Sequence, residues 1–371
     1  MKYIFDKEVV VATSDKSYND LGWGPYQFPD IFNVDGVLYL EFHKEADSAL
    51  SYGKDRAHYI SYDLGETWEE TNLIGGIKVK DNTIIKPLVK PPLQLEDVSF
   101  PNPIYKVQIY GLDRNVYDEN YISPLISKWY GLKGTIGNLN EYEIVVNNEN
   151  FCRYTSEGVF PTNFFLRFYV DKENNIWALQ QRFLVDAPKN NHALFYKSTD
   201  NGKTFNLFSK IYYDETFNDY ASNVTRVGFA EQSLTFTDNK NAFSLLRTTD
   251  GYKVSPLYIS YSSDGAKTWT HPIFFDDMGV WPNVVSLNNG AHIASYGRPG
   301  LYIRGLYNNI WDKEKTTLIA PLKLQQDTCS YSATAVINDD TFIIAYSDFQ
   351  HKTTKGTKRK AIITRKIKVK L

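Results

Sequence analysis

The stretch Ser61-Tyr62-Asp63-Leu64-Gly65-Glu66-Thr67-Trp68 returns as Ser198-Thr199-Asp200-Asn201-Gly202-Lys203-Thr204-Phe205 and again as Ser262-Ser263-Asp264-Gly265-Ala266-Lys267-Thr268-Trp269. Each copy follows a short apolar run, Ala57 to Ile60, Ala193 to Tyr196 and Leu257 to Tyr261. Each is therefore read as a turn that ends one strand and opens the next. The residue types suit that place: Asp accepts backbone N–H bonds across the loop, Gly supplies a positive φ, and the last aromatic fills an apolar gap. In the third copy the glycine stands one position earlier.

Spacing converts the turns into a count of repeats. Ser198 and Ser262 are 262 − 198 = 64 residues apart, about the length of a four-stranded propeller blade with its loops. Ser61 and Ser198 are 198 − 61 = 137 apart, about two such blades with one that lacks the turn between them. At that period the chain of 371 residues accommodates about six blades. The turns resemble the Asp box, S/T-x-D-x-G-x-T-W/F, of sialidases and their relatives, where it joins the third and fourth strands of propeller blades. The resemblance implies an all-β, six-bladed β-propeller forming a single domain over residues 1–371. The N-terminal strand, Tyr3 to Val11, and the C-terminal one, Ala361 to Val369, are expected to share a blade and close the ring, which protects sheet edges. Further strands are expected at Val37 to Phe42, Phe164 to Val170, Ile176 to Gln181, Ala242 to Arg247, His292 to Ser295 and Thr341 to Ser347. A long surface loop is expected in the Pro-rich stretch from Lys80 to Pro103.

Composition agrees with an all-β chain and narrows the partners. The sequence is 15% aromatic, with 27 Tyr and 22 Phe, residues that fit a pleated, half-buried surface. A formal net charge of −2 supplies no global field for nucleic acid or an anionic membrane. The basic tail from Lys352 to Lys370 alternates apolar and charged residues from Ala361 to Val369, the pattern of a half-exposed strand in a solvated hairpin. Only Cys152 and Cys329 occur, too few and too far apart for a disulfide framework or a zinc site. No metal or other cofactor is expected, and each cysteine is read as a buried free thiol. Met1 to Val10 lacks the basic and apolar regions of a signal peptide, and no later segment is apolar enough to span a membrane. As written the chain reads as cytoplasmic, and as secreted if a signal has been removed. The triplet Asn223-Val224-Thr225 matches a glycosylation pattern too short to argue otherwise.

The repeated turns speak for a fold, not a function, because the same blades serve glycosidases, lyases and binding modules. The resemblance to sialidases implies a set of site residues. Tyr331, in Cys329-Ser330-Tyr331-Ser332-Ala333, resembles the short Gly/Ser-Tyr-Ser stretch that carries the sialidase nucleophile. A phenol, with a free pKa of about 10, needs a base to take its proton, and Glu231 in Phe229-Ala230-Glu231-Gln232-Ser233 resembles the Glu that does so. A neutral phenol suits a substrate with a carboxylate on its anomeric carbon, where a carboxylate nucleophile would be repelled. Arg247, 247 − 231 = 16 residues after Glu231, and Arg298, 331 − 298 = 33 before Tyr331, match the spacing of two carboxylate-binding arginines. A guanidinium fork holds a carboxylate by two parallel bonds. Asp55, 61 − 55 = 6 residues before the first repeated turn, stands where the acid/base Asp is expected, with Asp47 as the alternative. At the position of the first arginine, in Tyr26-Gln27-Phe28-Pro29-Asp30-Ile31, the chain has Gln27 instead. That exchange weakens carboxylate binding by about 1.5–3 kcal/mol, for which His43 and Arg56 offer partial compensation. The structural alternatives are a core tyrosine, a solvated glutamate, arginines tying blade to blade and ordinary loop aspartates.

Three functions fit these residues. The first is a retaining exo-glycosidase acting on a sialic-acid-like or other acidic sugar through Tyr331, with a carbohydrate as its partner. The second is a carbohydrate-binding propeller that keeps part of such a pocket without its chemistry. The third is another glycosidase or a polysaccharide lyase using His43, Asp30 and Asp47. Oligomeric state is not legible.

Overall fold

The computed structural model describes residues 1–17, 21, 24–45, 47–54, 56–109, 112–122, 127–147, 150–154, 159–214, 227–249, 256–322 and 327–371. Asp55 and the triplet Asn223-Val224-Thr225 lie outside the described residues. The protein is all-β, with about 4% helix. It divides into two compact units: Met1–Asp47 with Asp55–Ile77 and Val280–Leu371, and Ser48–Lys54 with Lys78–Gly279.

The first unit contains three antiparallel sheets. One runs Gln27–Val34, Val37–His43, Ala57–Ser61 and Glu69–Glu70 in sequence order. A second orders Val280–Ser286, His292–Gly297 and Leu301–Tyr307, with Ile310–Trp311 and Thr316–Ile319 both pairing with the third strand. The terminal sheet orders Ser332–Asn338, Thr341–Lys352, Lys358–Lys370 and Lys2–Thr13. In it the two chain ends pair from Lys2 opposite Lys370 to Thr13 opposite Ala361. Strand alternation lets this sheet serve two cores. Phe342, Ile344 and Tyr346 pack with Val285, Ile293 and Ile303, whereas Ile343 and Ala345 pack with Ile31, Leu38 and Phe42. Burial on both faces explains a departure from the sequence reading. In Lys358–Lys370 the expected alternation appears from Ile367 to Lys370, whereas Lys360 to Thr364 are all buried, because the strand lies between two strands and two cores. Lys360 itself is fully buried, its Nζ 4.6 Å from the Phe349 ring centroid, and burial pushes its pKa down to about 8.

The second unit joins most of its ladders into one sheet, with Leu93–Gln94 and Val159–Phe160 pairing apart from it. Arg167–Val170, Ile176–Leu184, Ala187–Ser198 and Thr204–Ile211 form one antiparallel run. Thr235–Phe236 and Gly228–Gln232 flank Ala242–Thr249, which continues to Leu257–Ser262 and Ile273–Asp276. Between these two runs lies a core of Trp177, Leu179, Phe195, Phe229, Leu246 and Tyr258. The stretch expected to be a long loop contains a strand, Ile84–Leu88, paired with Trp129–Thr135. Its Pro87 disguises the pattern, but Ile84 and Ile85 are buried. The strand expected from Phe164 begins only at Arg167, since the Phe164 carbonyl is held by the Gln180 side chain and not by a ladder.

The three repeated turns share one hydrogen-bond pattern. In each, the serine hydroxyl donates to the aspartate at 2.8 Å, and the threonine N–H four residues after the aspartate donates back to it at 2.8–2.9 Å. Each also requires two consecutive left-handed residues: Leu64 and Gly65, Asn201 and Gly202, Gly265 and Ala266. The displaced glycine of the third copy therefore leaves Ala266 at φ 66°, where its N–H still reaches the Ser262 hydroxyl at 2.9 Å. The closing aromatics are packed as expected: Phe205 is fully buried, and Trp269 stacks on Phe195 at 4.8 Å.

Candidate functional site

In the first unit Tyr331 is the hub of an aromatic cluster. It stands one residue before the strand Ser332–Asn338. The Phe28 ring meets it edge-on at 4.5 Å and the Trp281 ring lies against it at 4.7 Å, tilted by 30°. Such contacts contribute about 0.5–1.5 kcal/mol each beyond area burial. The Arg298 guanidinium lies 5.7 Å from the Tyr331 ring centroid, within cation–π range. Phe28 also meets His43 edge-on at 5.5 Å, so two sequence-selected residues, Tyr331 and His43, pack on the ring that follows Gln27, and a third, Arg298, lies over Tyr331.

Buried hydrogen bonds fix this hub. Arg298 Nη2 donates to the Cys329 carbonyl at 2.5 Å. The buried Asp327 carboxylate accepts from Gly300 N at 2.6 Å and Thr328 N at 3.0 Å, tying the loop before Tyr331 to the turn after Arg298. The Ser330 hydroxyl donates to the Gly300 carbonyl at 2.8 Å, and Ser330 N donates to the Thr328 hydroxyl at 3.0 Å. The Cys329 thiol is buried and free, 2.9 Å from the Ser347 hydroxyl, and its burial raises its pKa. Cys152 is likewise buried and free, with its pKa pushed up to about 12 by burial.

Gln27 opens its strand opposite His43 and is fully buried, and neither its amide oxygen nor its amide nitrogen has a hydrogen-bond partner among the described residues. An unmet buried amide is costly, about 1–3 kcal/mol. Behind it, Glu41 is buried with Arg56 Nε at 3.0 Å and His58 Nδ1 at 3.5 Å. Arg56 also donates through Nη2 to the Phe28 carbonyl. Arg56 is thus committed to a protein carboxylate and to the backbone that carries Phe28.

In the second unit Glu231 and Arg247 face each other across adjacent strands, Arg247 Nη1 donating to Glu231 Oε2 at 2.7 Å. Both are largely buried, at 11% and 13% side-chain exposure, which makes the pair a strong charge-assisted bond. Asp47 is exposed, and Asp55 lies outside the described residues. The sequence reading missed Phe28, Trp281, Glu41 and Asp327. A signal existed for two of them: Phe28-Pro29-Asp30 and Trp281-Pro282-Asn283 are similar tripeptides near the starts of the first strands of two sheets.

Backbone conformation marks the same residues. Fifteen non-glycine residues have positive φ among the described ones. Seven are Asp or Asn, which tolerate that region, and Leu64 and Ala266 belong to the repeated turns. The remaining six are Tyr26, Phe28, Glu231, Trp281, Arg298 and Ser330. Each is a sequence-selected site residue, a chain neighbour of one, or a ring packed on Tyr331. Phe28, Glu231 and Trp281 each sit at a register shift in their strand ladders, a bulge that re-aims a side chain. Among the described residues no group of three or more His, Cys, Asp or Glu side chains is placed to hold a metal ion.

The architecture has known counterparts among solved structures. A protein of unknown function from Dyadobacter fermentans superposes with a TM-score of 0.63 and 16% identity over 99% of both chains. The Hadza microbial sialidase Hz136 superposes with a TM-score of 0.57 and 14% identity, over 95% of this chain and 67% of its own. The fold is sialidase-like. Trypanosoma rangeli sialidase, in a complex with 2-keto-3-deoxy-D-glycero-D-galacto-2,3-difluoro-nononic acid, gives a TM-score of 0.50 and 12% identity. The match covers 92% of this chain and 53% of that one, so this chain spans about half the length of that sialidase. No protein-family model matches the sequence, and no curated protein does.

Proposed function

We propose that the protein is a retaining exo-glycosidase acting on a sialic-acid-like or other acidic sugar, built on a closed six-bladed propeller whose ring is completed by the paired chain ends. The observation that carries this reading is that, among the described residues and outside Asp, Asn and the repeated turns, left-handed backbone falls on Glu231 and Arg298, on chain neighbours of Gln27 and Tyr331, and on the rings packed on Tyr331. Bulky side chains hold that region at a cost of about 1–3 kcal/mol each, and selection keeps such a cost where geometry serves something other than stability.

In this reading the Tyr331 hydroxyl attacks the anomeric carbon as the bond to the aglycone oxygen breaks. Glu231 takes the phenolic proton and Asp55 protonates the departing oxygen. Asp55 then removes a proton from water, which attacks the same carbon, and the released tyrosine regains its proton from Glu231. Arg298 and Arg247 favour the substrate's carboxylate. Gln27 leaves a neutral amide, able to donate and to accept, where a third arginine would demand an anion. A panel of chromogenic sialosides and uronides tests the reading with Tyr331→Phe. Turnover is expected to fall at least about a thousandfold with an unchanged circular dichroism spectrum, and wild-type turnover by a folded Tyr331→Phe protein overturns it. Retained binding of the sugars without turnover in the wild type would favour the carbohydrate-binding function.

A further inference from the structure

His192 lies in the strand Ala187–Ser198 of the second unit and is buried, at 2% exposure. Both of its ring nitrogens meet backbone groups. Tyr213 N–H donates to Nδ1 at 3.0 Å, and Nε2 lies 3.1 Å from the Ala187 carbonyl oxygen. A backbone N–H can only donate and a carbonyl oxygen can only accept, so the ring carries its single proton on Nε2 and is neutral. A second proton, on Nδ1, would face the Tyr213 N–H and break that bond.

His292 shows how a buried ring escapes this constraint. Its Nδ1 lies 2.8 Å from the Ser286 hydroxyl, which can turn to accept from a protonated ring. The amide beside His192 has no such freedom. The charges around His192 oppose one another: Asp186, in the turn before its strand, favours the charged ring, and Lys210, on Thr204–Ile211, disfavours it. Arg182 stands opposite His192 in the ladder, and the Tyr212 ring meets the imidazole at 5.0 Å. Burial is the largest influence and lowers the pKa of His192.

Tyr213 carries the bond to a neighbouring strand. Its ring meets Phe229 edge-on at 5.3 Å, in the strand Gly228–Gln232 that also holds Glu231. Asn191, next to His192 in the chain, pairs with Gly228 and donates to the Val227 carbonyl at 2.8 Å. A Cβ at Gly228 would lie 2.4 Å from the Asn191 carbonyl oxygen, so the two backbones are in direct contact.

We propose that His192 is an acid-sensitive latch: neutral, it holds Tyr213 against Phe229, and protonated, it releases Tyr213 and loosens the support of the Gly228–Gln232 strand. A histidine whose pKa is lowered on folding stays neutral in the closed state and takes up a proton on opening. Closure is therefore fully favoured above about pH 6.5, the ordinary value of a free histidine, and weakens progressively below it. The latch does not depend on the hydrolytic reading, and its test does not use turnover.

Amide-resolved hydrogen exchange on the full chain, corrected for the intrinsic rate at each pH, tests it. In the wild type the protection of the Tyr213 amide is expected to fall at least about threefold between about pH 7 and about pH 5.5. His192→Gln keeps a side chain that donates and accepts but does not titrate, and its Tyr213 protection is expected to stay level. No fall in the wild type, or an equal fall in His192→Gln, overturns the proposal. Should His192→Gln fail to fold, the nitrogen chemical shifts of the wild-type imidazole decide. A ring that is neutral at about pH 6.5 with its proton on Nε2 supports the latch, and one already half-protonated there overturns it.

Discussion

The repeated turn at Ser61–Trp68 and the cluster around Tyr331 both depend on left-handed backbone, and they obtain it in opposite ways. In the turn, Gly65 occupies the crowded left-handed position at φ 90°, and the hydrogen bonds of Ser61, Asp63, Gly65 and Thr67 close within the motif. Around Tyr331, the left-handed positions belong to Phe28, Trp281, Arg298 and Ser330, and the compensating contacts come from distant strands. Where only the fold is at stake, the chain uses the residue that adopts the conformation without penalty. Where a ring or a guanidinium must be presented, it keeps the side chain and accepts the strain.

The largest effect expected from this contrast is at Gly65. A Cβ there would lie 2.5 Å from Ile343 Cδ1 as well as at positive φ. Gly65→Ala should therefore lose about 2–4 kcal/mol of stability, the sum of a left-handed penalty and overpacking. Urea unfolding measures the loss, and activity per folded molecule should not change. A loss below about 0.5 kcal/mol would mean that the turn tolerates a side chain and that the contrast is unfounded.

A smaller and sharper effect is expected at Trp281. Trp281→Ala and Trp281→Gly both remove the ring from Tyr331, but only glycine relieves φ 51°. The glycine variant should be the more stable by about 1 kcal/mol, the reverse of the order at an ordinary strand position. Parallel denaturation curves of the two variants decide it, and the usual order would show that the backbone there is unstrained.

The smallest effect is in acid and concerns the repeated turns. Hydrogen bonds from the Thr67 hydroxyl and N–H, and then from Ser61, hold the Asp63 carboxyl down to about 2, and Thr268 does the same for Asp264. A carboxyl lowered on folding contributes stability that is present above its unfolded pKa of about 3.9 and is lost as pH falls through about 2. Melting temperature should therefore fall less steeply between about pH 4 and pH 2 in Asp63→Asn than in the wild type. Parallel acid limbs for the two proteins would show that the turn's hydrogen bonds do not favour the charged form.

What the sequence determined by itself is the local layer. The three turns close within eight residues, so their hydrogen bonds are written in adjacent letters, and the strands around them follow from alternation. Tyr331, Arg298, Glu231 and Arg247 were visible as residue types at suggestive spacings, but not their partners. Only the tertiary structure decided that Phe28 and Trp281, 331 − 28 = 303 and 331 − 281 = 50 residues away, pack on Tyr331. It likewise decided that Arg247 faces a carboxylate, that Gln27 is buried with no hydrogen-bond partner among the described residues, and that Lys360 lies in a core. These outcomes depend on which strands are neighbours and in what register. A one-residue slip turns a side chain to the opposite face, and no local pattern of residues records that choice.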